Sequence, residues 1–384
     1  MLLFPATRML SWFALTAAGT SFTWTLWQKT HQGWWIAAAG MTGVIVGVVC
    51  APLSGWLADS RWRKKVLIIS PLCSAAIYIM MTQADSPTML IILVGLAAAA
   101  VNPFHPTFTA ALLGAFGEQE RIKVLGWTTS AESMGIVAGT ISGGAVMTLS
   151  PSASFWGAAT CLCGVSLLSS RLQLHHISRQ GKEKSSIWAG IGVIRKDRIL
   201  ALMVGSVFFM AISRQLAIVA EPALVGAING NSLTLSLISA AWSVGMIAGG
   251  LAAARWAKQR NSIRYLWQAR LLVAIGMGFN FLAYYQWQPI LAYVVCGLVW
   301  AWIPVSSGTV IAQRCPEDRR GRLLALQGAL AQAAAALGIV AAGTCIQLLG
   351  VRQSFLFASL VGMFSVPPLL LASRRYKHEQ QVEV

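Results

Sequence analysis

The chain has 384 residues, of which 56% are hydrophobic and only 11% are charged, and its mean hydropathy is +0.65. This composition is typical of a protein that lies in a lipid bilayer, and it excludes an ordinary soluble globular domain. The net charge of +17 would indicate nucleic-acid binding in a soluble protein, so the position of each basic residue decides between the two interpretations.

Twelve apolar stretches are each long enough to cross a hydrocarbon core of about 30 Å as a helix. The predicted spans are 8–27, 33–57, 66–83, 88–114, 125–149, 152–171, 199–224, 232–254, 271–286, 289–311, 323–349 and 353–373. A signal peptide is the alternative for the first span, but the apolar run continues through Trp24 and Trp27, which favours an uncleaved helix. The predicted fold class is therefore an all-α integral membrane protein with 12 transmembrane helices.

The basic residues divide unequally between the two sides of these spans. Of the 29 Lys and Arg, 26 fall on one side, Lys29 and Arg352 fall on the other, and Arg214 alone lies inside a span. By the positive-inside rule, both termini are predicted to lie in the cytoplasm. The surplus charge thus reports topology, and we predict no nucleic-acid partner. We expect a multi-pass protein of the bacterial cytoplasmic (inner) membrane.

The longest polar segment runs from Arg171 to Arg198 and separates two stretches of similar length. We predict an N-terminal six-helix half at 1–171, a cytoplasmic linker at 172–198, and a C-terminal six-helix half with a short cytoplasmic tail at 199–384. His175 and His176 have no third ligand at useful spacing, and the seven Cys residues lie mostly within apolar spans. The sequence predicts no metal site and no cofactor.

The two halves repeat one another. GWLADSRWRKK at 55–65, after the second span, aligns without gaps with GGLAAARWAKQ at 249–259, after the eighth. GIVAG at 135–139 in the fifth span is matched by GIVAAG at 338–343 in the eleventh. Parallel repeats of this kind suit a transporter whose substrate lies between two rigid halves that rock around it.

With these motifs, the sequence resembles the major facilitator superfamily over essentially its full length. In that family the loop between the second and third helices latches the two halves together on the cytoplasmic side. The resemblance implies that Gly55 permits close helix approach and that Asp59 is the latch carboxylate. Arg61 and Lys65 would be its basic partners. The second copy has Ala253 in place of the acid, so it cannot supply that carboxylate.

The fifth span contains GIVAGTISGG, which resembles the antiporter motif of the family's exporters. The matching glycines are Gly135, Gly139, Gly143 and Gly144. Thr140 stands where the family has proline. Glycines four residues apart also form a smooth face, so ordinary close helix packing is the alternative. The segment from Pro304 to Arg322 further resembles the drug-efflux branch, which includes macrolide and siderophore exporters.

Two acidic residues, Glu132 and Glu221, lie inside predicted spans. A charged and unpaired carboxylate is costly in hydrocarbon, so such residues usually mark function or proton uptake. Arg214 precedes Glu221 by seven residues, nearly two helical turns, so both project from almost the same face. We expect Arg214 to bind an anionic group of the substrate or of Glu221. The alternative is a fixed ion pair that holds the helix.

The fourth span contains VNPFHPTF, with Asn102 and His105 among its prolines. Histidine can carry protons near neutral pH, although a hydrogen-bonded core histidine is the alternative. If the fourth and fifth helices form a hairpin, His105 and Glu132 lie at similar depth and could form a proton-coupled pair. Many drug antiporters carry an acid in helix one and an Arg in helix four, and this chain has neither.

Aromatic and hydroxyl side chains are predicted to line a cavity that suits an amphipathic organic molecule. The candidate substrate-binding residues are Arg214, Asn102, Thr20, Trp24, Phe209, Trp302 and Ser306. Packing against lipid is the alternative role for most of them.

The predicted function is a secondary active transporter that exports a small amphipathic organic compound, drug-like or siderophore-like, by proton antiport. Its predicted partners are that substrate, protons and membrane lipids, and we expect it to work as a monomer. One alternative is uptake or facilitated passage of a nutrient or metabolite, and another is a membrane receptor or scaffold. A phosphate loop is missing from the sequence, and neither a nucleophile with its base nor a metal cluster is evident, so we predict neither a primary pump nor an enzyme.

Overall fold

The computed structural model describes residues 2–116, 118–172, 197–256, 262–315 and 317–382. The predicted linker, with His175 and His176, lies outside these ranges apart from its two ends. The described residues form helices and connecting turns and contain no β-strand. The fold is therefore all-α, as the composition predicts.

Seven helices precede the linker, and they are named here in chain order. They are α1 (Leu3–Thr30), α2 (Gly33–Asp59), α3 (Arg63–Met81), α4 (Pro87–Val101), α5 (Phe104–Ala115), α6 (Glu118–Leu149) and α7 (Pro151–Ser170). Because α4 and α5 together make one span, these helices form six spans.

Eight helices follow the linker. They are α8 (Arg198–Ala227), α9 (Ser232–Trp256), α10 (Ser262–Gly278), α11 (Trp287–Trp300), α12 (Trp302–Arg314), α13 (Glu317–Leu348), α14 (Val351–Met363) and α15 (Val366–Val382). A short 3₁₀ helix, Phe279–Leu282, continues α10. Since α11 with α12 and α14 with α15 each form one span, the chain has the 12 transmembrane helices that the sequence predicts.

Nine spans in the described ranges are long and apolar enough to cross a membrane on length and composition alone. The three helices outside this group are α1, α6 and α10. They carry Arg8, Glu132 and Arg270, respectively. Each of these three helices thus holds a charged side chain within the fold, as does α8, one of the nine apolar spans, with Arg214 and Glu221.

The ninth predicted span, 271–286, is wrong at its start, because the helix begins at Ser262. The prediction treated Arg264 and Arg270 as residues of a cytoplasmic loop. Arg264 is exposed, but Arg270 is only 2% exposed and lies in the middle of α10. A charge that is buried within the fold cannot be distinguished from a loop charge by hydropathy alone.

Prolines divide two of the spans into separate helices. Pro103 and Pro106 have no N–H to donate to the carbonyls of Ala99 and Asn102, so the fourth span breaks between α4 and α5. The Ser70 hydroxyl of α3 donates to the Ala100 carbonyl beside this break. In the same way, Pro304 follows the break between α11 and α12. These breaks expose backbone carbonyls within the fold, where neighbouring side chains can bond them.

The chain divides into two compact units, Met1–Arg179 with Asn229–Ala240 and Gln180–Ile228 with Ala241–Val384. In the first unit α1 packs against α6 and α7, and α3 packs against α7. In the second unit α8 packs against α13 and α14, and α10 packs against α14. The first core includes Phe4, Leu67, Phe104, Phe108, Leu112 and Val165, and the second includes Leu200, Met203, Leu266, Val310, Leu323 and Leu369.

The glycines of the antiporter-like motif bring α6 into backbone contact with α1. A Cβ atom at each of three of them would collide with the main chain of α1. The facing pairs are Gly135 with Met9, Gly139 with Phe13, and Gly143 with Ala17. Both sets recur every four residues, so one smooth stripe lies along the other. Thr140 keeps its N–H where the family has proline, and α6 continues unbroken to Leu149.

Gly144 faces a different helix. Its carbonyl accepts a hydrogen bond from the Ser232 hydroxyl of α9 at 2.9 Å, and a Cβ there would collide with Ser236. A related contact occurs in the second unit, where Gly338 of α13 packs on the backbone of Ile212 in α8. The echo between the GIVAG and GIVAAG segments therefore corresponds to close packing in both units.

The glycine stripe predicts opposite effects for two identical substitutions. Gly139→Ala should destabilise the protein by about 1–3 kcal/mol, because the new methyl group forces α6 away from α1. Gly157→Ala is the control, since a Cβ there meets nothing within 4 Å, and alanine favours a helix over glycine by about 1 kcal/mol. Thermal unfolding of the purified variants measures both effects. Equal stability of the two variants would contradict the packing described here.

Candidate functional site

A cluster of charged and aromatic side chains joins three helices of the first unit. The Arg8 guanidinium of α1 donates from Nε to Glu132 Oε2 of α6 at 2.9 Å, and its Nη1 lies 3.0 Å from His105 Nδ1 of α5. The guanidinium also lies 5.7 Å from the ring centroids of Trp12 and Phe108. With side-chain exposures of 16% for Arg8 and 25% for Glu132, this ion pair is largely shielded from solvent.

The geometry of this cluster indicates which groups donate and which accept. Arginine offers only donors and stays charged, so Nδ1 of His105 must accept the hydrogen bond and carry no proton. Glu132 Oε2 lies 2.9 Å from both Nε and Nη2 of Arg8, so one carboxylate oxygen faces two donors. A proton on His105 Nδ1 would remove the acceptor that Arg8 bonds, and a proton on Glu132 would remove the negative charge that attracts Arg8. A proton and the Arg8 guanidinium compete for the same two groups.

Arg8 is the member of this cluster that the sequence analysis missed. It was counted among the cytoplasmic charges because it is the first residue of the predicted first span, 8–27. The helix begins earlier, at Leu3, and packs Arg8 against α5 and α6. The signal in the sequence is the placement of Arg8 one turn before Trp12 and Phe13 within a continuous helical pattern. His105 and Glu132, which were predicted to lie at similar depth, both contact this one guanidinium.

The second unit holds the predicted pair on α8. Arg214 Nη1 lies 3.5 Å from Glu221 Oε1, and the guanidinium sits 4.1 Å from the centroid of the Trp242 ring. Glu221 is 6% exposed. The buried hydroxyl of Tyr293 approaches Glu221, but it is not in hydrogen-bonding geometry with any described residue. Arg214 thus has an acidic partner at the outer limit of a hydrogen bond, together with an aromatic one.

A cavity of about 320 Å³ lies within the second unit and includes Arg214. It is lined by Val207, Met210, Ala211, Arg214, Gln215, Arg270, Trp300, Ile303, Gln327, Ala331, Gln332 and Ala335. Arg214 is the one predicted substrate-binding residue in this lining. The second arginine, Arg270, was missed because it was counted with the cytoplasmic loop.

The other predicted substrate-binding residues of the first unit make local contacts. Asn102 Oδ1 accepts a hydrogen bond from Ser54 at 3.0 Å and so ties α2 to the break after α4. Thr20 donates to the carbonyl of Thr16 one turn earlier in α1. Trp24 is buried at 6% exposure. Their contacts with a substrate stay predictions.

The remaining predicted substrate-binding residues of the second unit lie apart from one another. Phe209 packs against Phe208 and Phe364, and the Trp302 ring lies 5.3 Å from that of Tyr265. Ser306 is 2% exposed, and its hydroxyl has no hydrogen-bond partner among the described residues. The structure does not bring these three side chains into the cavity that contains Arg214.

The predicted latch is described only in part. Gly55 and Asp59 end α2, but their side-chain positions lie outside what the structure describes. Arg61 and Lys65 are exposed, and both approach the Trp62 ring, Lys65 Nζ at 4.3 Å from its centroid. The latch role of these residues stays a prediction.

Sequence reasoning missed a second ion pair near the start of α8. Asp197 accepts hydrogen bonds from the backbone N–H groups of Ile199 and Leu200, and therefore caps the helix. Its other oxygen accepts from Arg314 Nε at 2.7 Å, at the end of α12. The second copy of the loop motif has Ala253 and therefore no acid. In the second unit, the carboxylate of this ion pair comes from Asp197. In the described ranges, His, Cys, Asp and Glu residues form no group that could hold a metal ion.

Twelve helical spans, of which nine in the described ranges are long and apolar enough to cross a membrane, define the chain as a multi-pass helical membrane protein. A sequence model described as Major Facilitator Superfamily matches the chain twice, over residues 2–213 and 203–383. The chain therefore belongs to the Major Facilitator Superfamily, a family of transporters. The two successive matches agree with the internal repeat in the sequence.

Comparison with individual proteins gives more distant similarities. Macrolide efflux protein A of Streptococcus pyogenes is 21% identical over 352 residues, which cover 87% of this chain and 86% of that protein. The crystal structure of the nucleoside transporter NupG has a TM-score of 0.74 at 14% identity and covers 97% of this chain and 99% of its own. A bacterial homologue of the human lysosomal transporter Spinster, inward-facing and occupied, has a TM-score of 0.75 at 11% identity, covering 97% and 96%. The structural similarities show the fold alone.

The contact between Arg8 and Glu132 predicts energetic coupling. Arg8→Met and Glu132→Gln should each destabilise the protein, since each leaves a shielded partner without compensation. The double variant should be destabilised by about 1–2 kcal/mol less than the sum of the two single destabilisations. Denaturant unfolding of the purified single and double variants measures this difference.

The matched control combines Arg8→Met with Ser133→Ala. Ser133 neighbours Glu132 but is exposed and bonds the carbonyl of Thr129 in its own helix. The destabilisations caused by these two substitutions should add to within about 0.5 kcal/mol. Additive behaviour of Arg8→Met with Glu132→Gln would contradict the ion pair.

Proposed function

We propose that this protein exports a small amphipathic organic compound, drug-like or siderophore-like, in exchange for protons. The observation that carries the proposal is the arrangement in which Arg8 bonds both Glu132 and His105. Because arginine keeps its charge, a proton that arrives at either partner must loosen the contact of α1 with α5 or α6. Proton binding is thereby linked to the packing of helices.

The direction of transport rests on similarity in sequence. Macrolide efflux protein A is an exporter by its name, and it aligns with most of this chain. The glycine stripe of α6 also matches the antiporter motif at Gly135, Gly139, Gly143 and Gly144, and it joins α6 to the helix that carries Arg8. Both features favour efflux over the alternative of nutrient or metabolite uptake.

The proposed cycle follows from the family's repeats. Two halves, 1–171 and 199–384, rock about a substrate between them, as parallel repeats allow. The protein works as a monomer in the inner membrane of a bacterium, with both termini in the cytoplasm, as the distribution of Lys and Arg favours. Asp59, Arg61 and Lys65 latch the cytoplasmic side. Glu221 is a second candidate proton carrier because it is buried beside Arg214.

Transport in proteoliposomes with an imposed pH gradient tests this proposal. The wild type should accumulate erythromycin, a catecholate siderophore or 2-naphthoate in an acidic lumen. Glu132→Gln should lower the initial rate at least about tenfold, equivalent to about 1.4 kcal/mol in the barrier. Exchange of substrate across the membrane without a pH gradient should continue in this variant, because it requires no net proton movement.

Glu120→Gln is the matched control, because it removes an exposed carboxylate from the same helix. Its rate should stay within about twofold of the wild type. Equal gradient-driven rates in the wild type and Glu132→Gln would overturn the proton-coupling role. Absence of gradient-driven accumulation of all three compounds would overturn the proposed export.

A further inference from the structure

Arg270 is the most deeply buried charged side chain in the described part of the second unit, at 2% exposure. It lies eight residues after the start of α10 at Ser262, about 12 Å along the helix. Its Nη1 donates to the Ser206 hydroxyl of α8 at 2.5 Å, whereas its Nε has no hydrogen-bond partner among the described residues. The guanidinium is therefore held on one side and left unpaired on the other.

The positive charge of a guanidinium buried in this position must be balanced by a negative charge or by hydrogen bonds. Arginine is not deprotonated in proteins, so burial cannot neutralise it as it can neutralise a lysine. An uncompensated ion in the interior of a protein costs several kcal/mol even after relaxation. Ser206 offers a neutral oxygen, and no carboxylate among the described residues forms an ion pair with Arg270. The site has a positive charge that is ready for an anion.

Arg270 lines the cavity of about 320 Å³, which also includes Arg214. No acidic residue contributes to its lining. Arg214 Nη1 lies 3.5 Å from Glu221 Oε1, so Glu221 balances the charge of Arg214 only in part. Two arginines thus line a single cavity whose wall includes no carboxylate.

Glutamine side chains add further polar groups to this wall. Gln327 Oε1 is buried without a partner among the described residues, while Gln215 and Gln332 also line the cavity. The oxygen and nitrogen of an amide are assigned by the hydrogen bonds around them, so a flipped Gln327 would present N–H donors to the same cavity. An anion would satisfy these donors together with Arg270.

The rest of the wall is apolar. Val207, Met210, Trp300 and Ile303 surround the polar groups, and the volume is at the small end of the range for ligand pockets. A flat apolar body could lie against Trp300 while its charged end meets the arginines. This combination of groups recognises an amphipathic anion and disfavours a cation.

We propose that the cavity binds amphipathic organic anions, with Arg270 as the principal anion-binding residue and Arg214 as the second. Ser206 accepts a hydrogen bond from Nη1 of Arg270, and the buried Nε is an unused donor that a carboxylate oxygen would satisfy. The proposal rests on the proposed transport function and narrows its amphipathic cargo to anionic compounds. A purely structural role for Arg270 would not explain why its Nε and the Gln327 Oε1 lack hydrogen-bond partners among the described residues.

Equilibrium dialysis of the purified full-length protein in detergent tests this inference, with benzoate, 2-naphthoate and their neutral amides as probes. The wild type should bind at least one carboxylate at least about tenfold more tightly than its amide, a difference of about 1.4 kcal/mol. Arg270→Gln should abolish this preference. Arg270→Lys, which keeps the charge but loses the fork of donors, should retain part of it.

Arg264→Gln is the matched control, because Arg264 lies on the same helix but is exposed. It should bind the carboxylates as the wild type does. Gel filtration establishes that each variant is folded, and if Arg270→Gln fails to fold, Arg270→Lys and Gln327→Leu carry the test. Equal binding of acids and amides by the wild type, or an unchanged preference in the folded variants, would overturn the proposal.

Dialysis involves neither a membrane nor a pH gradient, so its outcome is independent of proton-driven export. Binding without transport would refute the proposed export and leave the anion site intact. Transport of erythromycin without binding of any carboxylate would refute the anion site alone.

Discussion

The guanidinium of Arg8, shared between Glu132 and His105, is the interaction on which the proposed mechanism depends. It sits where α1, α5 and α6 meet, and it cannot lose its charge. Its two partners are titratable side chains, so the proposed mechanism has protonation weaken a contact to Arg8 and thereby link proton binding to helix packing.

The glycine stripe places this interaction at one end of a continuous interface. Glu132 precedes Gly135 by three residues on α6, and Arg8 directly precedes Met9, the residue that Gly135 contacts on α1. The backbones touch where the glycines lie, whereas the charged pair holds the adjacent turn together. Close packing along this stripe leaves little room for local adjustment of α1 against α6.

The buried charges of the second unit have different partners. Arg214 has Glu221 at 3.5 Å and an aromatic ring beside it, but Arg270 has a serine hydroxyl and an open cavity. A permanent ion pair would neutralise the arginines and remove the reason for an anion to bind. The unpaired charge of Arg270 is therefore the observation on which the proposed anion site rests.

The sequence predicted the number and order of the spans because apolar length alone determines whether a helix can cross a bilayer. It predicted close packing at the glycines because their spacing matches one helix face. It failed for Arg8 and Arg270, since a charge near the end of an apolar run is compatible with both a loop and an early helical turn. Their partners come from α6 and α8, far away in the chain, and only tertiary structure brings them together.

Direct observation of Glu132 protonation tests the central role of the Arg8 cluster. Infrared difference spectra of the purified transporter in lipid, recorded as the pH is lowered, detect the C=O stretch of each carboxyl group that takes up a proton. The competition between the proton and Arg8 predicts a band that is missing in Glu132→Gln, accompanied by a change in the guanidinium bands that Arg8→Met removes. Coincident spectra of the wild type and Glu132→Gln would contradict a role for this cluster in proton coupling.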